Sequence, residues 1–211
     1  CHTAHEFILP RESMVVLASY LCAKDWKRFK SVNVFKYGPK GCGKTESSKI
    51  EGYKAGFGKV EAITGDPNTP SWVFTGKETL KVDQATGMNQ MVYEKGLLEE
   101  CMTYGLKKDE KGNVEFEKDE QGNVVYETDE DGEMVPRVVV VGPPCLLVID
   151  EICSMNENVN IVLNEPLCVP RAPGRSRRLT LKLDKGRVVY SHPGFCVCAQ
   201  GNNKGRGQES A

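Results

Sequence analysis

The sequence predicts an α/β fold built on a parallel central sheet, and three observations carry that expectation. Apolar runs at Cys145–Ile149 and Phe195–Ala199 show almost no alternation, as strands covered on both faces require. Stretches with helical spacing separate the strand-like ones, so successive strands are joined by crossovers rather than tight turns. A glycine-rich loop, Gly38–Thr45, sits between a short strand and a helix.

Taken in order, residues Glu6 to Lys30 read as a helix, with Val15, Val16, Leu17, Tyr20 and Leu21 broadly at helical spacing. Ser31–Tyr37 is a short strand, and the glycine-rich turn follows it. Lys44 to about Ala55 suits a helix that Gly56 and Gly58 end. Val60–Thr64 is a second strand, closed by the turn-rich Gly65–Pro70. From Trp72 to Tyr93 two alternating stretches flank Ala85-Thr86-Gly87, the pattern of a hairpin. Glu94–Tyr104 reads as a helix with Leu97, Leu98, Cys101 and Met102 on its apolar side. After the strand Cys145–Ile149 comes a helix over Asn156–Leu167. Leu179, Leu181 and Leu183 then alternate with polar residues, turn at Asp184-Lys185-Gly186, and return through Val188 and Tyr190.

Between these elements lies an internal repeat, KDEKGNVEFE, KDEQGNVVYE, TDEDGEMVPR, over Lys108–Arg137. Each unit opens on acidic turn residues and a glycine, then alternates as a strand does, which predicts a polar β meander inserted into the domain. Lys108–Glu133 holds eleven acidic residues and three lysines, a net charge of −8. Such a surface is either a solvated decoration or a docking face for a basic partner. The expected organisation is a helical lead-in over residues 1–30 and one α/β core over 31–211, interrupted at 108–137. The start at Cys1 and the stop soon after a Gly/Asn-rich turn suggest a fragment of a longer protein.

Composition narrows the class of function. The 28 basic and 29 acidic side chains leave a net charge of −1, so nothing global points to nucleic acid or an anionic membrane. The apolar runs are far too short to span a bilayer, and the N-terminus lacks the pattern of a signal peptide. Nine scattered cysteines, several inside strand-like runs, suit buried thiols in a reducing, cytoplasmic setting. No CxxC pair is present, and His2, His5 and His192 lie away from the cysteines, which argues against zinc.

The chemistry concentrates in three places. Gly38-Pro39-Lys40-Gly41-Cys42-Gly43-Lys44-Thr45 matches G-x-x-x-x-G-K-[ST], and Glu46 follows it. Glycines let the backbone wrap a phosphate, so that its N–H groups and the next helix N-terminus face the anion. Lys44 is placed to reach the β- and γ-phosphates of ATP, and the Thr45 hydroxyl to ligate Mg²⁺. Second, the strand Leu146–Ile149 delivers Asp150 and Glu151 at its C-terminal end, where α/β sheets bind ligands. Asp150 suits the Mg²⁺ and Glu151 the attacking water. An acid beside the metal ligand is also what separates hydrolysing enzymes from most nucleotide kinases. Third, Asn202, or alternatively Asn203, stands just past the last strand, where an amide can meet the γ-phosphate or the lytic water. Cys42 inside the loop also suggests redox control, or a small filler. Arg171, Arg175, Arg177 and Arg178 cluster in a Pro/Gly loop that is either an anion contact or merely solvated.

With these elements in this order, the chain resembles AAA+ ATPases of the MoxR/CbbQ/CobS group, related to the dynein and midasin modules. The resemblance runs from about Val32 to Gly207 and includes Gly65–Gly76, Gly96-Leu97-Leu98, His192-Pro193-Gly194-Phe195 and Ala199–Gly207. It implies a three-layer P-loop sandwich, a helix-2 insert near Trp72–Tyr93, and a hairpin at Arg178–Tyr190 before a sensor 1 asparagine. It also implies a hexameric ring that spends ATP on remodelling or activating a partner protein. The arginine finger and sensor 2 of that group have no counterpart here, and Arg206 is not assigned to either. The alternative from a different class is a nucleotide-gated scaffold with little hydrolysis.

Overall fold

The structure is a computed structural model describing residues 11–84, 87–128 and 132–202. Ten strands and five α-helices are formed among these: α1 (Arg11–Lys24), β1 (Val34–Gly38), α2 (Lys44–Ala55), β2 (Lys59–Thr64), α3 (Trp72–Thr75), β3 (Lys77–Val82), β4 (Asn89–Glu94), α4 (Leu97–Met102), β5 (Tyr126–Thr128), β6 (Met134–Pro136), β7 (Cys145–Asp150), α5 (Glu157–Leu167), β8 (Arg178–Leu181), β9 (Arg187–Tyr190) and β10 (Cys196–Asn202). The predicted parallel sheet is present, with order β1-β10-β7-β2 and every pairing parallel.

The strand side chains divide the interior into two cores. Cys145, Leu147 and Ile149 of β7, with Phe195 and Val197, pack against Leu98, Cys101 and Met102 of α4 and Val159 and Leu163 of α5. Leu146, Val148, Cys196 and Cys198 face the other way, onto Tyr20 and Ala23 of α1, Ala55 and Phe57. Burying both faces is what removes the polar alternation from these runs. The result is the helix–sheet–helix sandwich of P-loop NTPases, with antiparallel hairpins added at its margin. Gly52 shows how close α2 lies to the sheet: a Cβ there would stand 2.7 Å from Leu146 Cδ2 and 2.9 Å from Val60 Cγ2.

Several boundaries move from their predicted places. The first helix ends at Lys24, and the chain turns so that Trp26 meets the His192 ring edge-on at 5.8 Å while its carbonyl accepts from Gly174 N. Trp72–Thr75 forms a helical turn, and the hairpin begins only after Gly76, with β3 and β4 in register Lys77↔Glu94 to Val82↔Asn89. Glu94 is therefore strand, which shortens the next helix to Leu97–Met102. Leu183 lies in the turn rather than in a strand, because Asp184 N and Gly186 N both donate to Leu181 O. Residues 1–10, Ala85, Thr86, 129–131 and 203–211 lie outside the described residues, and with them Asn203, Arg206 and part of the predicted first helix.

The acidic repeat takes a form that periodicity alone does not give. Glu115 N donates to Lys107 O, Val139 N to Glu115 O and Lys107 N to Val139 O, which closes a cycle of three backbone bonds. Val125 N to Glu117 O, Arg137 N to Val125 O and Glu117 N to Arg137 O close a second cycle beside it. The segment is thus the expected antiparallel meander, paired across its turns at Lys108↔Val114, Lys118↔Val124 and Thr128↔Met134, and its last stretch closes back on the earlier ones through Val140↔Leu106, Val138↔Phe116 and Pro136↔Tyr126. Its first two turns are equivalent: Asp109 Oδ1 accepts from Lys111 N and Asn113 N, and Asp119 Oδ1 from Gln121 N and Asn123 N. These Asx turns are why the first two units each carry an aspartate before the turn and an asparagine after its glycine.

Candidate phosphate and divalent-cation site

The site forms at the C-terminal edge of β1, β10 and β7, where the loop 38–43 leaves β1 and enters α2. Gly41 and Gly43 have φ of 79° and 80°, a region that side-chain-bearing residues rarely occupy, so the glycine spacing is set by the turn itself. Gly43 is the residue preceding α2, and no side chain caps that end of the helix. Its first N–H groups are thereby left to a ligand.

Lys44 folds back over the loop. Its Nζ donates to Gly38 O at 3.1 Å, Pro39 O at 2.9 Å and Asn202 Oδ1 at 2.8 Å, which uses all three ammonium protons. Thr45 Oγ1 lies 2.7 Å from Asp150 Oδ2 and 3.0 Å from Gln200 Oε1. Asp150 Oδ1 accepts from Glu151 N at 2.9 Å, which orients the carboxylate across the end of β7. Glu151 Oε1 accepts from Asn202 Nδ2 at 3.0 Å and lies 3.9 Å from Lys40 Nζ. Lys44, Asn202 and Glu151 therefore form one continuous hydrogen-bonded chain, with Thr45 and Asp150 alongside it.

Glu151 is one of two non-glycine residues with positive φ among the described residues, at φ 53° and ψ 37°. That left-handed conformation costs on the order of 1 kcal/mol. It turns the chain sharply from β7 into the short 3-10 turn Ile152–Ser154 and keeps the carboxylate on the side of Asn202. Strain held at the end of a buried strand, beside Lys40 and Asn202, marks a place where geometry is favoured over stability.

The predicted site residues Lys44, Thr45, Asp150, Glu151 and Asn202 are thus brought together. Gly38 and Pro39 contribute carbonyl acceptors, and Lys40 reaches Glu151 from the exposed side. Cys42 is exposed, with its sulfur 3.9 Å from Lys44 Nζ. Glu46 is exposed in the first turn of α2, without a described contact to the other site groups. Among the described residues no group of three or more His, Cys, Asp or Glu is arranged to hold a metal. A divalent cation here would depend on fewer protein ligands, and Thr45 with Asp150 supplies hard oxygen donors of the kind Mg²⁺ takes alongside substrate phosphates and water.

Two supporting features escaped the sequence. Gln200 is fully buried on β10 and bonds to the first turn of α2. Lys36 of β1 pairs with the buried Glu51 of α2 and also donates to Ser47 Oγ at 3.0 Å, pinning the helix to the strand before the loop. A glutamine and a lysine inside otherwise apolar strands were the available signals.

No family model matches the chain, and no curated protein matches it in sequence. Among solved structures, the crystal structure of a "putative ATPase" from Cytophaga hutchinsonii is similar at a TM-score of 0.50 and 13% identity, covering 96% of this chain and 42% of that one. The chain spans less than half the length of that relative, and the likeness is one of fold.

Proposed function

We propose that the chain is the nucleotide-binding core of an AAA+ ATPase that binds ATP with Mg²⁺, hydrolyses it, and works as a ring on a partner protein. The observation that carries this reading is the convergence of Lys44, Thr45, Asp150, Glu151 and Asn202 at one end of the parallel sheet. These residues come from three segments far apart in sequence, each of which points to the same chemistry. The MoxR/CbbQ/CobS resemblance and the ATPase-like fold support it from two further sides.

In this reading, a bound cation would neutralise developing phosphate charge, and the chain's own residues do the rest. Lys44 exchanges its carbonyl acceptors at Gly38 and Pro39 for phosphate oxygens. The N–H groups at the start of α2 bind the anion. Thr45 and Asp150 hold the cation. Glu151 orients water and accepts its proton, and Asn202 sets the position of that carboxylate through its amide nitrogen. The insertion over 108–137 and the hairpins β3–β4 and β8–β9 then stand as accessory surfaces on one catalytic core.

Steady-state hydrolysis of ATP with Mg²⁺, followed against protein concentration, tests the proposal. Turnover that rises cooperatively and falls at least about a hundredfold in Glu151→Gln, with binding kept, is the expected result. Tight binding without turnover at any concentration would favour a nucleotide-gated scaffold. Unchanged turnover in Glu151→Gln would remove that carboxylate from the mechanism.

A further inference from the structure

We infer that Gln200 is a positioning residue that takes the Thr45 hydroxyl proton, so that the oxygen lone pairs of Thr45 face a divalent cation. The inference rests on the Mg²⁺–nucleotide reading above and adds a residue to it.

Gln200 has no exposed surface and lies two positions before Asn202 on β10. A buried amide must satisfy its donors and its acceptor, or cost on the order of 1–3 kcal/mol. Gln200 does so entirely on the first turn of α2. Its Nε2 donates to Lys44 O at 3.2 Å and to Ser48 Oγ at 2.9 Å, while its Oε1 faces Thr45 Oγ1 at 3.0 Å. The orientation of the amide is not arbitrary. A backbone carbonyl can only accept, so the group facing Lys44 O must be the NH₂. The oxygen is thereby fixed toward Thr45.

Thr45 has one proton and two acceptors for it, Asp150 Oδ2 at 2.7 Å and Gln200 Oε1 at 3.0 Å. With no cation the charged carboxylate is the stronger acceptor. A cation between Thr45 and Asp150 would be opposed by a proton pointing toward it. Gln200 offers a neutral acceptor on the buried side, rigidly held, to which the hydroxyl can rotate. The Thr45 lone pairs and the Asp150 carboxylate are then both free to face the metal. Partners of this kind, one bond removed from the ligand, commonly change metal affinity by 10- to 100-fold when lost.

The test measures binding of a fluorescent ATP analogue to the full chain, once with saturating Mg²⁺ and once with EDTA. The ratio of the two affinities is the gain due to metal. In Gln200→Met, of similar volume but without the acceptor, we expect that gain to fall about tenfold or more, with the EDTA affinity changed less than about threefold. In a Thr45→Ala background the same substitution should cost nothing further, because the hydroxyl it serves is already gone. Ser48→Ala, which breaks the opposite end of the amide's network, should keep the gain. Gln200→Asn keeps a buried amide but withdraws its oxygen, so it should lose the metal gain in the same way, and it carries the test if Gln200→Met folds poorly. A full metal gain in both Gln200 variants overturns the inference. So does an equal loss in the Thr45→Ala background or in Ser48→Ala, either of which assigns Gln200 to packing alone. Wild-type protein that binds no nucleotide, or binds it without any metal gain, instead overturns the reading of the site on which the inference stands.

Discussion

His192, which the sequence offers only as a histidine away from the cysteines and as the start of His192–Phe195, acquires a physical role in the fold. Its ring is fully buried, and Gly194 N donates to Nδ1 at 2.9 Å, so the neutral tautomer carries its proton on Nε2, 3.1 Å from Gly142 O. Burial lowers its pKa to about 4, with the Gly142 bond opposing that shift. The unfolded chain binds this proton more readily, so stability is complete above about pH 6.5 and declines as pH falls toward 4. At 1.36 kcal/mol per unit the full loss is on the order of 3 kcal/mol. Urea denaturation at several pH values checks this: the fall in stability between pH 6.5 and 4 should shrink in His192→Gln. Arg177, 3% exposed, makes a second such case. Its guanidinium bonds Asn33 Oδ1, Pro166 O, Ser31 O and Ser31 Oγ, and burial pushes its pKa down. Arg177→Ala strands those acceptors, and a loss of about 3 kcal/mol in the same denaturation assay is expected. The sequence reading left Arg177 among four loop arginines that either contact an anion or are merely solvated. Nothing in composition distinguishes a buried arginine that ties the start of β8 to the loop before β1 from the arginines beside it, such as the exposed Arg178.

At the scale of elements, the motif-bearing parts and the two hairpins were legible, and the closure and packing of the acidic insertion were not. The helix predicted from Lys44 to about Ala55 is α2, and the strand predicted at Cys145–Ile149 is β7 extended by Asp150. In both, local pattern and tertiary environment demand the same residues, glycines at the turn and apolar side chains on two buried faces. The acidic insertion is the meander its alternation predicts, but strand spacing does not fix whether such strands lie flat or close on one another, as they do here. It packs against the β8–β9 hairpin, with Phe116 edge-on to Tyr190 at 6.1 Å, and that contact is equally invisible to periodicity. The hairpin is also tied to α4, since Arg187 Nη2 reaches both oxygens of the buried Glu99 at 3.0 and 2.9 Å. We expect Glu99→Gln to destabilise by about 2 kcal/mol, less than a wholly buried pair because Arg187 is partly exposed. Thermal unfolding of the variant, and of Arg187→Met beside it, measures this. Equal stability of wild type and Glu99→Gln would show that the ion pair is not what fastens the hairpin.

At the scale of the molecule, the sheet order β1-β10-β7-β2 explains why five residues spread over more than 150 positions meet. Parallel strands all end at the same edge, so the segments following β1, β7 and β10 are adjacent whatever their separation in sequence. Motif spacing could place the loop on a strand–helix junction and the acids at a strand end. It could not supply the chain of bonds from Lys44 through Asn202 to Glu151, nor the second acceptor at Gln200, because those depend on strand order. The central claim is that this edge binds ATP with Mg²⁺. Equilibrium binding of a fluorescent ATP analogue, with Mg²⁺, to the wild-type chain and to Lys44→Ala tests it most directly. Saturable binding that weakens about a hundredfold or more in Lys44→Ala, about 2.7 kcal/mol, is the predicted result. Indistinguishable affinities for the two proteins, or no binding by the wild type, would contradict it.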